Sequence, residues 1–543
     1  MKKICTLLLF VSFFVTSNAG KRNENTIQPR LIVGIVVDQM RYDYLYRFYS
    51  QYAEDGFKRL MKEGMNFTFA QYNYIPTYTG PGHASIYTGT TPYYHGIISN
   101  DWYDKKLKKT INCVKDTLVN SVGADNSSGR ASPENLLATT MTDQLRMSDN
   151  GLSKVYAVSL KDRAAVLPGG HMANAAYWYD GKSGKFITSS YYMKELPGWV
   201  ARFNNRKLPA MLMNSDWELE EGKNYESSFP DNGVGEDDIF TEGKTTFPHR
   251  FTKLPDTLKQ ELIKVTPFGN ELLAGFVTEL LKNEKPGQGK YCDFLAVSFS
   301  STDYVGHAYG PNSMEIMDTY LKLDRQIARI LDTLDRCVGK GNYLMFLTAD
   351  HGVKPNSAYL ETNGIHAGHD RTGSIREQII AYGKIQFGTS RVIDAVQDNQ
   401  IYLNHLVLDS LQLTTNDVEN KVIGFMRAVF PFVGLVRTRE ELITCTPART
   451  MNSAILNGFN IRRSGDILFE LNQNFLMSGS SDKGTTHESS YDYDTHVPLI
   501  FFGWHVAPGE SNQEVFVEDI APTISNLIHI QEPDATIGIP VIR

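Results

Sequence analysis

The chemistry-bearing residues of this chain are paired acids and imidazoles. Asp303-Tyr-Val-Gly-His307 sets a carboxylate and an imidazole four residues apart, and Asp350-His351-Gly352 sets another pair side by side. His487 closes Gly484-Thr-Thr-His487, and Asp38 ends an apolar run. Asp and His are what Zn²⁺ accepts where thiolates are absent. Three of each would suffice for two metals about 3.5–4 Å apart, given one bridging or extra ligand. Taken singly, an Asp-x3-His pair reads as a capping or surface pair. The recurrence of such groups, each beyond a strand-like run, makes a metal centre of them.

Two further segments fit the same chemistry. Ile75-Pro-Thr-Tyr-Thr79-Gly-Pro-Gly-His83 keeps the backbone open around a hydroxyl and is expected to lead into a helix, whose N-terminus would meet an anion. Thr79 is a poor nucleophile at neutral pH, but metal coordination would stabilise its alkoxide in place of a general base. Its plain alternative role is a helix cap. Lys161-Asp-Arg163 joins a point charge to a planar fork, which suits a phosphoryl group bearing two charges. A diester, with one charge and a second alkyl substituent, would gain less from them. The plain alternative is a solvated turn.

The elements that must position these residues are short, continuously apolar strands. Leu31–Val37 runs into Asp38, Val155–Leu160 into Lys161, Phe294–Phe299 towards Asp303, and Tyr343–Thr348 into Asp350. Such strands predict a sheet buried on both faces: α/β, a mostly parallel central sheet sandwiched by helices. Ligands then sit outside the carboxyl ends of the strands. Helices are expected at Glu134–Leu145 and Ser313–Leu334, with an amphipathic stretch at Asp417–Val429. The long segments at about 165–290 and 371–482 read as insertions that cap the site of a single catalytic domain, residues 20–543.

Composition excludes several classes. The chain has 543 residues, 41% hydrophobic and 21% charged, with formal charge −7 and 5 cysteines. The balance gives no electrostatic reason for nucleic-acid binding, and no Cys-x2-Cys pair supports a zinc knuckle or redox motif. Lys2 and Lys3, the mostly apolar run Ile4–Val15 and Ser17-Asn-Ala19 form a cleavable signal peptide, residues 1–19. No later stretch approaches the ~18 apolar residues of a membrane span. The expectation is an exported, periplasmic or secreted monomer without a membrane anchor. Export makes disulfides among Cys113, Cys292, Cys337 and Cys445 possible, with pairing left open.

Asp38, Thr-Gly-Pro-Gly-His, His95-Gly-Ile…Asn100, Asp303-x3-His307, Thr-Ala-Asp350-His351-Gly and Thr-Thr-His487…Tyr-Asp-Thr-His-Val-Pro together resemble the alkaline phosphatase superfamily, in its order. Within it, the chain is most similar to the phosphate-irrepressible (PafA-type) enzymes, exported monoesterases with a Thr nucleophile. The resemblance implies two Zn²⁺, one on Asp303, His307 and His487, the other on Asp38, Asp350 and His351. Thr79 would bind the second and attack phosphorus, giving a phosphothreonine that water then hydrolyses. Asn100, Lys161 and Arg163 would hold the phosphoryl oxygens of a small-molecule monoester. One local departure is Glu488, where relatives commonly carry Gly.

Three rival enzymes are weighed against this. A phosphodiesterase or nucleotide pyrophosphatase shares the Thr, the Asn and both metal sites, and Lys161 and Arg163 discriminate against it. Cys445-Thr-Pro-Ala-Arg449 matches the Cys-x-Pro-x-Arg signature of sulfatases but falls after Asp350-His351, whereas sulfatases carry it early. A phosphomutase would use Ser and stay in the cytoplasm. A non-catalytic scaffold would have no use for Thr79 beside a full ligand set. His83 and His95 are read as orienting loops, His496 as a partner behind His487, and His366 and His369 as cap or loop residues. Tyr72, Tyr74, Tyr78, Tyr93 and Tyr94 pack or wall the pocket.

Overall fold

The computed structural model describes residues 28–371, 374–478 and 483–542. The segment expected to be a signal peptide, residues 1–19, lies outside the described residues.

Ten strands form the main sheet: β1 (Leu31–Val37), β2 (Met65–Gln71), β3 (Ser121–Val122), β4 (Val155–Ser159), β5 (Ala175–Asp180), β6 (Lys185–Ser189), β7 (Asp293–Phe299), β8 (Tyr343–Thr348), β9 (His496–Gly503) and β10 (Gly509–Phe516). Their order is β10-β2-β9-β8-β1-β7-β4-β5-β6-β3. The middle five, β8, β1, β7, β4 and β5, are all parallel, and only β6 and β9 run against the rest. Every residue of β1, β4, β7 and β8 is buried, as strands covered on both faces must be. Parallel neighbours end on one edge, so Asp38, Lys161, the Asp303 helix and Asp350 emerge together.

Helix Met314–Leu334 begins where Ser313 accepts the Ile316 N–H and packs its apolar stripe against helix Pro267–Glu284. The amphipathic stretch 417–429 lies in helix Thr415–Val429, capped by Thr414. The expected helix Glu134–Leu145 instead spans Met141–Ser148. Thr140 and Asp143 form a reciprocal capping box that starts the helix there, after the turn at Pro133.

Segment 165–290 does not act wholly as a cap. Ala175–Asp180 and Lys185–Ser189 prolong the main sheet, and Pro267–Glu284 covers one of its faces. Ala175-Ala-Tyr-Trp-Tyr buries all of its side chains, so an aromatic-rich stretch became core strand. Segment 371–482 contains a four-stranded sheet of Ile393–Gln397, Gln400–Leu403, Ile467–Leu471 and Val433–Thr438 with its own apolar cluster. The tip of its first hairpin reaches the main body, where Ser99 donates to Asp398 at 2.5 Å. Cys113, Cys292, Cys337 and Cys445 are all free thiols.

Candidate active site

The helix Thr79–Thr88 is buried along its whole length and begins at Thr79 itself. Its glycines explain the open backbone. A Cβ on Gly82 would lie 2.3 Å from the Asp350 carbonyl oxygen, and one on Gly80 would lie 3.2 Å from Asn100 Oδ1 and Cys113 Sγ. Bare backbone at these two points lets the helix seat against the Asp350 loop and lets Gly80 N–H donate to Asn100 Oδ1 at 2.8 Å. His83 bonds the Thr79 carbonyl at 2.9 Å and Ser298 Oγ at 3.0 Å, while His95 holds Ser85 Oγ at 3.0 Å. Burial keeps both imidazoles neutral, at about 3. They orient the segment, as expected.

Asp38, Asp350 and His351 present ligand atoms within 4.8 Å of one another, and so do Asp303, His351 and His487. His307 joins the second group through Asp303, its Nε2 3.1 Å from Asp303 Oδ1, the same oxygen that lies 3.7 Å from His487 Nε2. Helical spacing of four residues puts Asp303 and His307 on one face. The rings of His351 and His487 stack with centroids 3.4 Å apart.

The donor set fits metal ions. Each of the three imidazoles turns Nδ1 to a backbone carbonyl: His307 to Thr485 at 2.7 Å, His351 to Gly352 at 2.9 Å and His487 to Thr77 at 2.5 Å. That fixes the tautomer and leaves every Nε2 lone pair facing inward. Asp38 Oδ1, Asp350 Oδ2 and His351 Nε2 are buried without a hydrogen-bond partner. Burial, with Asp303 and Asp350 nearby, pushes Asp38 well above the usual carboxylate range, and burial carries Asp350 to about 6. Burial acts on Asp303 too, but His307 and Lys161 outweigh it and hold that carboxyl well below the usual range. Crowded acids with bare lone pairs are the electrostatics a divalent cation relieves.

Lys161, buried, reaches the centre of this cluster. Its Nζ lies 2.6 Å from Asp38 Oδ2, 2.5 Å from Asp303 Oδ2 and 3.2 Å from Thr79 Oγ1. Burial works to discharge it, yet Asp303 and Asp38 raise its pKa. Arg163 heads the helix Arg163–Gly169, 3.9 Å from Asp162, and its buried Nε has no acceptor. A cation with a spare buried donor, on a helix packed against Thr79–Thr88, can take an anion.

Sequence reasoning missed two residues. Gln39 bridges the ligands: its N–H donates to Asp350 Oδ1 at 3.1 Å and its Nε2 to Asp303 Oδ1 at 2.8 Å. It holds φ 64°, and Gly306 is bare because a Cβ there would fall 1.9 Å from Gln39 Oε1. The signal was adjacency to Asp38 and the glycine inside Asp303-x3-His307. Asp494 is the second. Its Oδ2 accepts the N–H groups of Glu488 at 3.1 Å and Ser489 at 2.9 Å, and its carbonyl accepts Gly352 N–H at 2.7 Å. His496, expected behind His487, instead bonds the Thr68 carbonyl at 2.9 Å and stacks on Tyr42. It is the first residue of β9, opposite Gln71 of β2.

The remaining candidates fall as follows. Glu488 is buried, accepts the Tyr78 hydroxyl at 2.9 Å and so ties the residue before Thr79 to the residue after His487. Burial pushes Glu488 up, and its neighbour Lys354 down, each to about 7. Tyr72 and Tyr74 are core, Tyr93 is half-buried and Tyr94 is exposed. His366 packs edge-on to Phe475, and the His369 side chain lies outside the described residues. Cys445 is exposed, and Arg449 pairs with Asp519, so the sulfatase-like signature takes no part in the site.

Residues 32–492 match the family described as type I phosphodiesterase/nucleotide pyrophosphatase. The chain is 42% identical over 530 residues to alkaline phosphatase PafA of Elizabethkingia meningoseptica, covering 97% of this chain and 96% of that protein. It is 39% identical over 564 residues to alkaline phosphatase PhoV of Synechococcus elongatus, covering 99% and 98%. A crystal structure of wild-type alkaline phosphatase PafA superposes with a TM-score of 0.91 at 43% identity, covering 95% of this chain and 98% of that one.

Proposed function

The chain belongs to the type I phosphodiesterase/nucleotide pyrophosphatase family, as a PafA-type member of the alkaline phosphatase superfamily, and from that membership we propose that it is an exported, zinc-dependent phosphate monoester hydrolase acting through a phosphothreonine. Residues 20–543 then make up one catalytic domain with insertions. No described helix is long and apolar enough to cross a membrane.

Asp38, Asp350 and His351 would hold one zinc and Asp303, His307 and His487 the other, and the pair would supply Lewis acidity to the entering and leaving oxygens. Thr79 Oγ1 attacks phosphorus in line as the P–O bond to the alcohol breaks. Water then attacks the phosphothreonine, breaking its P–O bond and returning the Thr79 hydroxyl and free phosphate. Lys161 Nζ, a donor to Thr79 Oγ1 at 3.2 Å, favours the oxyanion form of that oxygen. Arg163 and Asn100 complete the grip on the equatorial oxygens, where charge stabilisation counts most. Asn100 is held for this by its acceptor bond from Gly80 N–H.

The observation that carries the reading is Lys161 Nζ beside Thr79 Oγ1 with Arg163 at the head of the next helix. Two cations at one phosphoryl site favour a dianionic monoester over a monoanionic diester. Zinc-replete protein should hydrolyse p-nitrophenyl phosphate far faster than bis(p-nitrophenyl) phosphate. A preference for the diester would replace this reading with the phosphodiesterase one.

A further inference from the structure

Lys161 and Arg163 also wall a second space. A groove of about 260 Å³ runs from them past Tyr304 and Trp178 to Lys182 and Lys264. Tyr304 lies between the two lysine heads, its ring centre 5.2 Å from Lys161 Nζ and 5.5 Å from Lys264 Nζ. The three acids of the groove are already engaged. Asp162 accepts Arg163 N–H at 2.7 Å, Asp180 accepts Asn126 Nδ2 at 2.7 Å, and Glu261 pairs with Lys264. Glu261 is 47% exposed, so solvent screens that pair and leaves the Lys264 charge available. Lys182 makes no ion pair among the described residues.

We propose that this groove is an accessory subsite for a second phosphate group on the substrate's alcohol portion. It rests on the monoesterase reading, because Lys161 and Arg163 must grip the reacting phosphoryl. A substrate so gripped has Lys264 across the Tyr304 ring and Lys182 in the lining of the same groove, whose volume admits a short carbon skeleton bearing a phosphate. Half-buried Tyr304 gives that skeleton an apolar face, and the two lysines give its far phosphate point charges. The favoured substrate class is therefore the bisphosphorylated small molecule over its singly phosphorylated counterpart.

The test compares initial kcat/KM for fructose 1,6-bisphosphate and fructose 6-phosphate on the zinc-loaded full chain. A plain statistical advantage is about twofold, since the bisphosphate offers two esters. The expected ratio exceeds this and falls by about three- to tenfold in Lys182→Ala/Lys264→Ala, tenfold being about 1.4 kcal/mol. Should that variant not fold, the wild-type ratio is followed from low to high salt, where screening of exposed charges should shrink it. A ratio unmoved by the substitutions, or flat with salt, overturns the subsite. Absence of p-nitrophenyl phosphate hydrolysis would instead overturn the monoesterase reading.

Discussion

Lys161 Nζ lies 2.6 Å from Asp38 Oδ2, joining the segment proposed to grip the phosphoryl group to a candidate metal ligand. One ammonium thus serves two tasks, offsetting crowded carboxylates and donating to Thr79 Oγ1.

Removing that ammonium should therefore be costly. Lys161→Ala and Arg163→Ala are each expected to lower kcat/KM for monoesters by about 10²–10³-fold. The double variant should lose less than the product, because both act on one phosphoryl group. Steady-state kinetics on a monoester and a diester check this, and equal losses on both substrates would remove the basis for the monoester preference.

Chelation should abolish activity and lower the melting temperature together. A ligand bound only by the native state adds about 4 kcal/mol at a thousand times its Kd. Without it, Asp38, Asp303 and Asp350 face one another with Lys161 as their main compensation. Calorimetry with and without a chelator reads the shift, and zinc addition should restore both properties. A melting temperature indifferent to chelation would argue against a metal on these residues.

Gly82→Ala tests the fit between helix Thr79–Thr88 and the Asp350 loop. The new methyl would lie 2.3 Å from the Asp350 carbonyl oxygen and 2.8 Å from Asp350 Cβ, so helix and loop must separate. A shift of about 1 Å in a reacting group costs on the order of 10²-fold in rate. Gly424→Ala, in helix Thr415–Val429 with nothing within 4 Å of the added methyl, is the matched control and should keep full activity.

Stability should fall as pH rises from about 5 to 8. Burial and the nearby Glu315 push Glu236 up to about 8 from an ordinary 4.5, and burial raises Glu315 as well. Below 4.5 both folded and unfolded chains hold the proton, so nothing is lost. Between the two values the unfolded chain releases it and the folded chain keeps it, so unfolding is favoured progressively. Melting curves should show a shallower decline for Glu236→Gln than for the parent. Identical slopes would sink the assignment.

The strand-end residues were readable because parallel neighbours must finish on one edge, whatever separates them in sequence. That places Asp38, Lys161, Asp303 and Asp350 without knowledge of a single contact. The identity of Lys161's partners was not readable, since it depends on rotamers rather than periodicity. Gln39 escaped notice because an amide next to a ligand carries no motif; only its left-handed backbone turns it towards Asp303 and Asp350. His496 misled because nearness in sequence to His487 is undone by the start of β9, which sends it towards Thr68. Residues 175–189 misled because they lie inside a long segment between strands, where the run Tyr177-Trp-Tyr179 reads as part of a cap although it forms a buried strand.

Strand β2 lies between β9 and β10, with Met65 opposite both Phe501 and Gly509. Position along the chain thereby becomes a clock. A growing polypeptide makes Asp38 and Thr79 early, but β2 has no neighbour to pair with until residues 496–516 are made. His487, the last of the proposed ligands, belongs to the same late stretch. Such distant pairings are slow to close, so hydrolytic power should arrive in one late step. An amino-terminal fragment would carry the proposed nucleophile and no competence, and a cut between β8 and β9 should silence the enzyme while leaving Thr79 intact.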